Sequence, residues 1–277
     1  MFVARDLAPF ACVALSSRSA FYGKGSPMVA VPGELRRPHF GATERRDAWW
    51  VAPLLQGLVL ATLIAYANWA AYQGTNFHVG GYLSPLYSPL ITVDWFPFPP
   101  SFLILIPPVL FRATCYYYRK AYYRSYLLDP PACAVAEFRG TGYRGETAFP
   151  LILQNLHRYL FYITLLYLPF LWSDVVHAAI FDGSFGIGLG TLVILANTSA
   201  LTLYSFSCHS ARHLIGGNLD CFSCSAFNRA RHAAWERASV LNARHMLFAW
   251  LSFFTVCGAD LYVRLVASGV IVDPRLL

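Results

Sequence analysis

Residues 49–72 read WWVAPLLQGLVLATLIAYANWAAY, and this stretch decides the class of protein. It runs for 24 residues without a charge. As a helix rising 1.5 Å per residue it is about 36 Å long, enough for a hydrocarbon core about 30 Å thick. Trp49, Trp50 and Tyr72 close its ends, where aromatic side chains favour the boundary between lipid and water. Four more stretches follow the pattern. Residues 99–118, PPSFLILIPPVLFRATCYYY, carry Pro107 and Pro108, which predict a kink, and Arg112, which must meet protein, water or a headgroup. Residues 148–172 include LHRYLFYITLLYLPFLW, with His157 and Arg158 near the start. Residues 185–208, FGIGLGTLVILANTSALTLYSFSC, hold small residues that let helices approach closely. Residues 246–267 place Asp260 and Arg264 four apart on one helix face, which predicts a pair inside the membrane.

Composition agrees. Of 277 residues, 57% are hydrophobic and 13% charged, about half the charged share usual in soluble domains. So few charges cannot cover a soluble globule. Twenty-one Phe, 17 Tyr and 7 Trp exclude a disordered chain. The net charge of +7 lies between the apolar stretches rather than along one face, and no nucleic-acid motif accompanies it, so nucleic acid is not the expected partner.

The cations are unevenly shared among the loops. Arg36, Arg37, Arg45 and Arg46 precede the first span, and residues 73–98 hold no Lys or Arg. Arg119, Lys120, Arg124, Arg139 and Arg144 follow the second span. Residues 173–184 carry Asp174 and Asp182 but no cation. Arg212, Arg229, Arg231, Arg237 and Arg244 follow the fourth span, and the C-terminal tail has only Arg275. Cytoplasmic loops collect Lys and Arg. The expectation is therefore an all-α polytopic membrane protein, a bundle of five transmembrane helices with the N-terminus cytoplasmic and the C-terminus outside. Residues 1–45 read as a cytoplasmic tail without a cleaved signal peptide. Residues 46–277 read as the transmembrane domain, with a cytoplasmic Cys/His loop at 205–245. No inverted repeat supports a transporter.

That loop begins SFSCHSARHLIGGNLDCFSC, residues 205–224. His209 and His213 are four apart, so their rings share a helix face. Cys221 and Cys224 form a CxxC, which can grip one metal through two thiolates. Gly216 and Gly217 would turn the chain back and bring the two pairs together. Two sulfur and two nitrogen ligands suit zinc or a mixed-ligand iron–sulfur group. Cys208 is the main rival ligand, and His157, His232 and His245 compete from the same side. The CxH and CxxH spacing of familiar Rieske motifs is absent. A haem near the cytoplasmic face, with His157 and His209, is an alternative. Arg112, Tyr116, His157, Arg158 and Tyr159 can supply donors to a quinone near that face. The segment CYYYRKAYYRSY, residues 115–126, suits an interface or a docking face.

CHSARHLIGG and DCFSC, with RATCYYYRKAYYRS upstream, resemble the membrane-anchor, cytochrome b-like subunit of actinobacterial succinate dehydrogenase, in the mycobacterial type with a five-helix anchor. The resemblance runs from about Arg45 to the C-terminus. It implies a bacterial plasma membrane and partner flavoprotein and iron–sulfur subunits on the cytoplasmic side, carrying FAD and further iron–sulfur clusters. It implies a membrane-embedded Rieske-type [2Fe–2S] cluster, menaquinone as electron acceptor, and a trimer of heterotrimers. Carried to this chain, the cluster falls on His209, His213, Cys221 and Cys224, with Cys208 as alternative. The basic loops with Arg119 and Lys120, and with Arg229 and Arg231, become docking surfaces. The competing readings are a haem-containing quinone oxidoreductase anchor and a zinc-stabilised membrane scaffold.

Overall fold

The computed structural model describes residues 39–137, 145–149, 151–181, 183–217 and 219–277. Arg36, Arg37, Arg139, Arg144, Asp182 and most of the expected N-terminal tail lie outside the described residues. The first long stretch forms α1 (Val51–Gln73), stopped by Gly74 in the left-handed region at φ 62°. Leu54, Leu55, Leu58 and Ile64 of α1 are exposed, and so broad an apolar surface belongs against lipid.

The second stretch is interrupted. Helix α2 (Ser101–Thr114) contains Pro107 and Pro108, Cys115 is extended, and α3 (Tyr116–Tyr122) starts anew. A wide turn at Tyr123–Leu127 finishes it. At 14 residues α2 is about 21 Å long. The third stretch enters through a tight turn at Leu151–Leu156, then α4 (His157–Leu165) and α5 (Tyr167–His177). The break between them falls at the carbonyl of Leu165, which the ring of Pro169 disfavours four residues on. Next come α6 (Leu189–Phe206), α7 (His209–Gly216), α8 (Ala226–Asn242) and α9 (His245–Ala267). Two small hairpins lie between spans: β1 (His78–Val79) with β2 (Tyr82–Leu83), and β3 (Ile180–Phe181) with β4 (Ser184–Phe185).

Among the described residues four helical stretches are long and apolar enough to cross a bilayer: Val51–Gln73, Leu151–His177, Leu189–Phe206 and His245–Ala267. The fifth expected span corresponds to the shorter α2. The protein is an all-α, multi-pass membrane protein.

Consecutive spans alternate in direction. The end of α2 meets the start of α4, since Phe111 stacks on His157. The end of α5 meets the start of α6, where Thr191 donates to the carbonyl of Ala178. At that same end Asp273 of the C-terminal tail accepts from Tyr82, Tyr262 and the backbone N–H of Gly190. The expected Asp260–Arg264 pair is present, with Nε to Oδ2 at 2.7 Å and both residues buried. Tyr66 and Ser84 also donate to Asp260, while Arg264 donates to the carbonyls of Thr75 and Ala70. The network clamps α9 to α1 and the loop that follows it. The main core lies toward the opposite end, where Leu60, Phe111, Phe161, Tyr204, Ala249 and Phe253 pack around Cys115 and Cys208.

Candidate metal centre

Two cysteines end helical spans, and two histidines begin them. Cys115 follows α2 and Cys208 follows α6; each is extended and starts a short helix, α3 or α7. His157 opens α4 and His245 opens α9. Because the spans alternate in direction, all four residues reach one end of the bundle. His157 Nε2 lies 3.1 Å from Cys208 Sγ, and His245 Nε2 lies 3.5 Å from Cys115 Sγ. Both cysteines are 1% exposed and His245 is 4% exposed, so three of the four are withdrawn from solvent.

The hydrogen bonds around the rings define which nitrogen is free. Thr114 Oγ1 donates to the carbonyl of Leu110 and lies 2.9 Å from His157 Nδ1. Its proton being used, it accepts from Nδ1–H. Ser207 Oγ donates to the carbonyl of Tyr204 and lies 2.7 Å from His245 Nδ1, with the same consequence. Each imidazole therefore turns the lone pair of Nε2 toward a thiol. An outer acceptor on one ring nitrogen fixes the tautomer and makes the other a better metal ligand. The rings are also held by stacking. Phe111 lies on His157 at 4.6 Å and 9°, and Tyr204 lies on His245 at 5.1 Å and 7°. Cys208 caps α7 and accepts from the backbone N–H of Ser210 at 3.4 Å.

This donor set fits a mixed-ligand iron–sulfur group, which needs two thiolates and two imidazoles. The geometry is two Cys–His couples. Among the described residues no three His, Cys, Asp or Glu side chains converge as they would around a single ion.

The structure does not assemble the set expected from local spacing. Cys221 and Cys224 are joined to each other as a disulfide, which offers no thiolate. They sit in the loop ahead of α8; the chain does turn back there, with α8 running along α7, but among the described residues the two pairs do not converge on one point. The chain leaves Gly217 extended, and α8 packs along α7 with Trp235 so close to Gly216 that a Cβ there would overlap the ring. Arg231 donates to the carbonyls of Ile215 and Gly217 and holds this arrangement. His209 and His213 do share a face, with ring centroids 4.9 Å apart, but both are exposed. Partial burial, His213, Arg212 and Arg158 together push the His209 imidazole below its ordinary value. Cys208 is the one member of the expected set that enters the buried group. Cys115, which carries no ligand motif of its own, and His157 and His245, the competing histidines of the sequence, complete it. The signal in the sequence was positional: each cysteine closes an apolar stretch and each histidine opens one.

Two cavities of about 650 Å³ lie in the bundle, and the first is lined by the four residues. It opens at the bundle end and is lined also by Tyr116, Arg119, Glu146, Arg158, Tyr159, His209 and His213. Glu146 is held below the usual carboxylate range by its bond to Arg119, at 2.7 Å. The other lies among α1, α2, α5, α6 and α9 and is mostly apolar, with Arg112, Tyr118 and Tyr204 in its lining. The expected quinone donors are thus divided, Arg112 in the apolar cavity and Tyr116, His157, Arg158 and Tyr159 in the polar one. Of the expected docking cations, Arg119 pairs with Glu146, and Arg229 and Arg231 bind backbone carbonyls.

Arg112 donates to Tyr118 and to Ser252, and its guanidinium lies 4.9 Å from the Tyr204 ring centroid. The Tyr204 hydroxyl is buried without a hydrogen-bond partner. Leaving such a group unpaired costs about 1–3 kcal/mol.

The fold defines the class: a multi-pass helical membrane subunit that gathers two cysteines and two histidines at one end of its bundle. The family model described as "Actinobacterial succinate dehydrogenase subunit SdhC" matches residues 51–269, and the chain belongs to that family. A chain of the solved "Mycobacterium smegmatis Sdh1 complex in the apo form" is 42% identical, with a TM-score of 0.79 over 91% of this chain and 100% of that one. No curated protein matches. This chain is the membrane-anchor subunit of an actinobacterial succinate dehydrogenase-type complex.

Proposed function

We propose that this subunit carries electrons from the iron–sulfur partner to menaquinone by way of a Rieske-type [2Fe–2S] group held by Cys115, His157, Cys208 and His245. The observation that carries the reading is the buried pairing of two cysteines and two histidines from the ends of four spans, with both Nε2 atoms free toward sulfur. When bound, the group supplies one-electron transfer at a potential above that of a four-cysteine cluster. Thr114 and Ser207 hold the Nδ1 protons, and Phe111 and Tyr204 shield the imidazoles from water. The assignment replaces His209, His213, Cys221 and Cys224 and moves His157 from quinone donor to ligand.

The apolar cavity suits the quinone, because a quinone needs an apolar channel and donors for its carbonyl oxygens. Arg112 and Tyr118 belong to its lining. They would bind a quinone oxygen and stabilise the negative charge that grows there as two electrons arrive. Tyr116, Arg158 and Tyr159 line the open cavity at the bundle end, the face on which the soluble subunits would dock, on the cytoplasmic side of a five-crossing topology. A haem between His157 and His209 is less well served, since His157 faces Cys208 and His209 is exposed. A zinc scaffold has the right donors but not the convergence on one point.

Low-temperature electron paramagnetic resonance and iron analysis of the purified intact complex test the assignment. Cys208→Ser and His245→Gln should each abolish a mixed-ligand signal and remove about two iron atoms per complex. The double variant Cys221→Ser, Cys224→Ser should retain both. The reverse pattern would overturn the ligand set.

A further inference from the structure

We infer that Tyr204 and Arg112 act as one unit that raises the reduction potential of the redox group held by Cys115, His157, Cys208 and His245. The inference rests on the ligand assignment above. Tyr204 is 2% exposed, and its ring lies nearly parallel to that of His245. Its hydroxyl is buried without a hydrogen-bond partner, and the residue packs in the same buried cluster as Cys115 and Cys208. A buried hydroxyl without a partner marks a place where something polar belongs. The missing acceptor here is sulfur in its charged form. A thiol is a poor acceptor, whereas a metal-bound thiolate carries the electron density that the hydroxyl proton needs.

Arg112 adds a full charge. Its guanidinium lies 4.9 Å from the Tyr204 centroid, 5.2 Å from that of Phe253 and 5.6 Å from that of Tyr118. Its hydrogen bonds go to two neutral hydroxyls, those of Tyr118 and Ser252. Among the described residues no carboxylate forms an ion pair with it. A cation left uncompensated among rings is weakly screened. Tyr204 touches both this cation and a ligating imidazole.

Reduction adds one electron, and so one negative charge, to the group. A donor to sulfur and a nearby cation both stabilise the reduced form more than the oxidised one, and hydrogen bonds to sulfur and net charge are recognised controls of such potentials. No proton leaves Tyr204 or Arg112 in this role. They are positioning and tuning residues, and no bond to them is made or broken.

The test is a redox titration of the intact complex followed by electron paramagnetic resonance, in the wild type, Tyr204→Phe, Arg112→Gln and Arg112→Lys. Tyr204→Phe keeps the stacked ring and loses only the hydroxyl, so the signal should persist and its midpoint should fall. Arg112→Gln should also lower the midpoint, while Arg112→Lys, which keeps the charge, should lie closer to wild type. A midpoint unchanged in every variant that retains the signal overturns the inference and leaves the ligand assignment standing. If one substitution prevents assembly, the other position decides. A wild-type complex with no mixed-ligand signal overturns the ligand assignment itself.

Discussion

Thr114 and Ser207 do the same work on opposite sides of the buried group. Each spends its proton on a helix carbonyl one turn or less behind it and turns an oxygen lone pair to an imidazole Nδ1. Replacing them removes the acceptor without touching a ligand. Thr114→Val and Ser207→Ala should each weaken iron retention about 10–100-fold, as expected for loss of an outer partner of a ligating histidine. Iron content after timed exposure to a chelator measures it, and retention equal to wild type in both would remove these hydroxyls from the account. At this scale the most conspicuous spacings are not the ones that the structure gathers at the buried end of the bundle. HxxxH and CxxC are local spacings, and local spacing correctly placed His209 beside His213 and Cys221 beside Cys224. It had no bearing on whether those pairs were buried or met each other.

Within the elements, breaks matter as much as helices. The extended backbone at Cys115 and Cys208 lets each thiol leave its span and face inward at the start of a new helix. Pro107 and Pro108 were legible as a strain on the second span, but α2 runs through them and breaks at Cys115, and Pro169 lies in the first turn of α5. The hairpins β1–β2 and β3–β4 were not anticipated, because two-residue strands carry no periodic signal. Helix α9 is held by the ion pair read from its i,i+4 spacing, and the structure adds Tyr66 and Ser84 as further donors to the carboxylate. Asp260→Ala leaves Arg264 buried beside carbonyls alone. The expected loss is about 3–5 kcal/mol, the usual result of stranding one partner of a buried pair. Thermal unfolding of the detergent-solubilised complex reads it, and a variant as stable as wild type would show that the pair contributes nothing net.

Across the whole molecule the two ends have different chemistry. The end with the buried cysteines and histidines carries Arg45, Arg119, Lys120, Arg158, Arg229 and Arg244, whereas the loops at the other end are nearly free of cations. By the rule that cytoplasmic loops collect Lys and Arg, we propose that the buried cysteine–histidine end faces the cytoplasm and Leu277 faces outside. A C-terminal alkaline phosphatase fusion should therefore be active and a C-terminal green fluorescent protein fusion dark. A bright C-terminal fluorescent fusion would reverse the orientation and put the buried group on the wrong side for a cytoplasmic partner.

Apolar length, interfacial aromatics and the alternation of charged loops are properties of contiguous sequence, so the sequence by itself determined that this is a multi-pass helical membrane protein and where its long spans lie. A helix needs only its own residues to be long and apolar enough for lipid. The buried cysteine–histidine group is different in kind. Cys115 meets His245 across 130 positions and His157 meets Cys208 across 51. That two cysteines close spans and two histidines open them was written in the chain, and alternating direction sends all four to one end. Which of them face each other depends on the order of the helices around the bundle and on their rotation, and these follow from side-chain packing between helices rather than from any single helix. The tertiary structure decided that Cys115 and Cys208 turn inward while Cys221 and Cys224 remain in a surface loop.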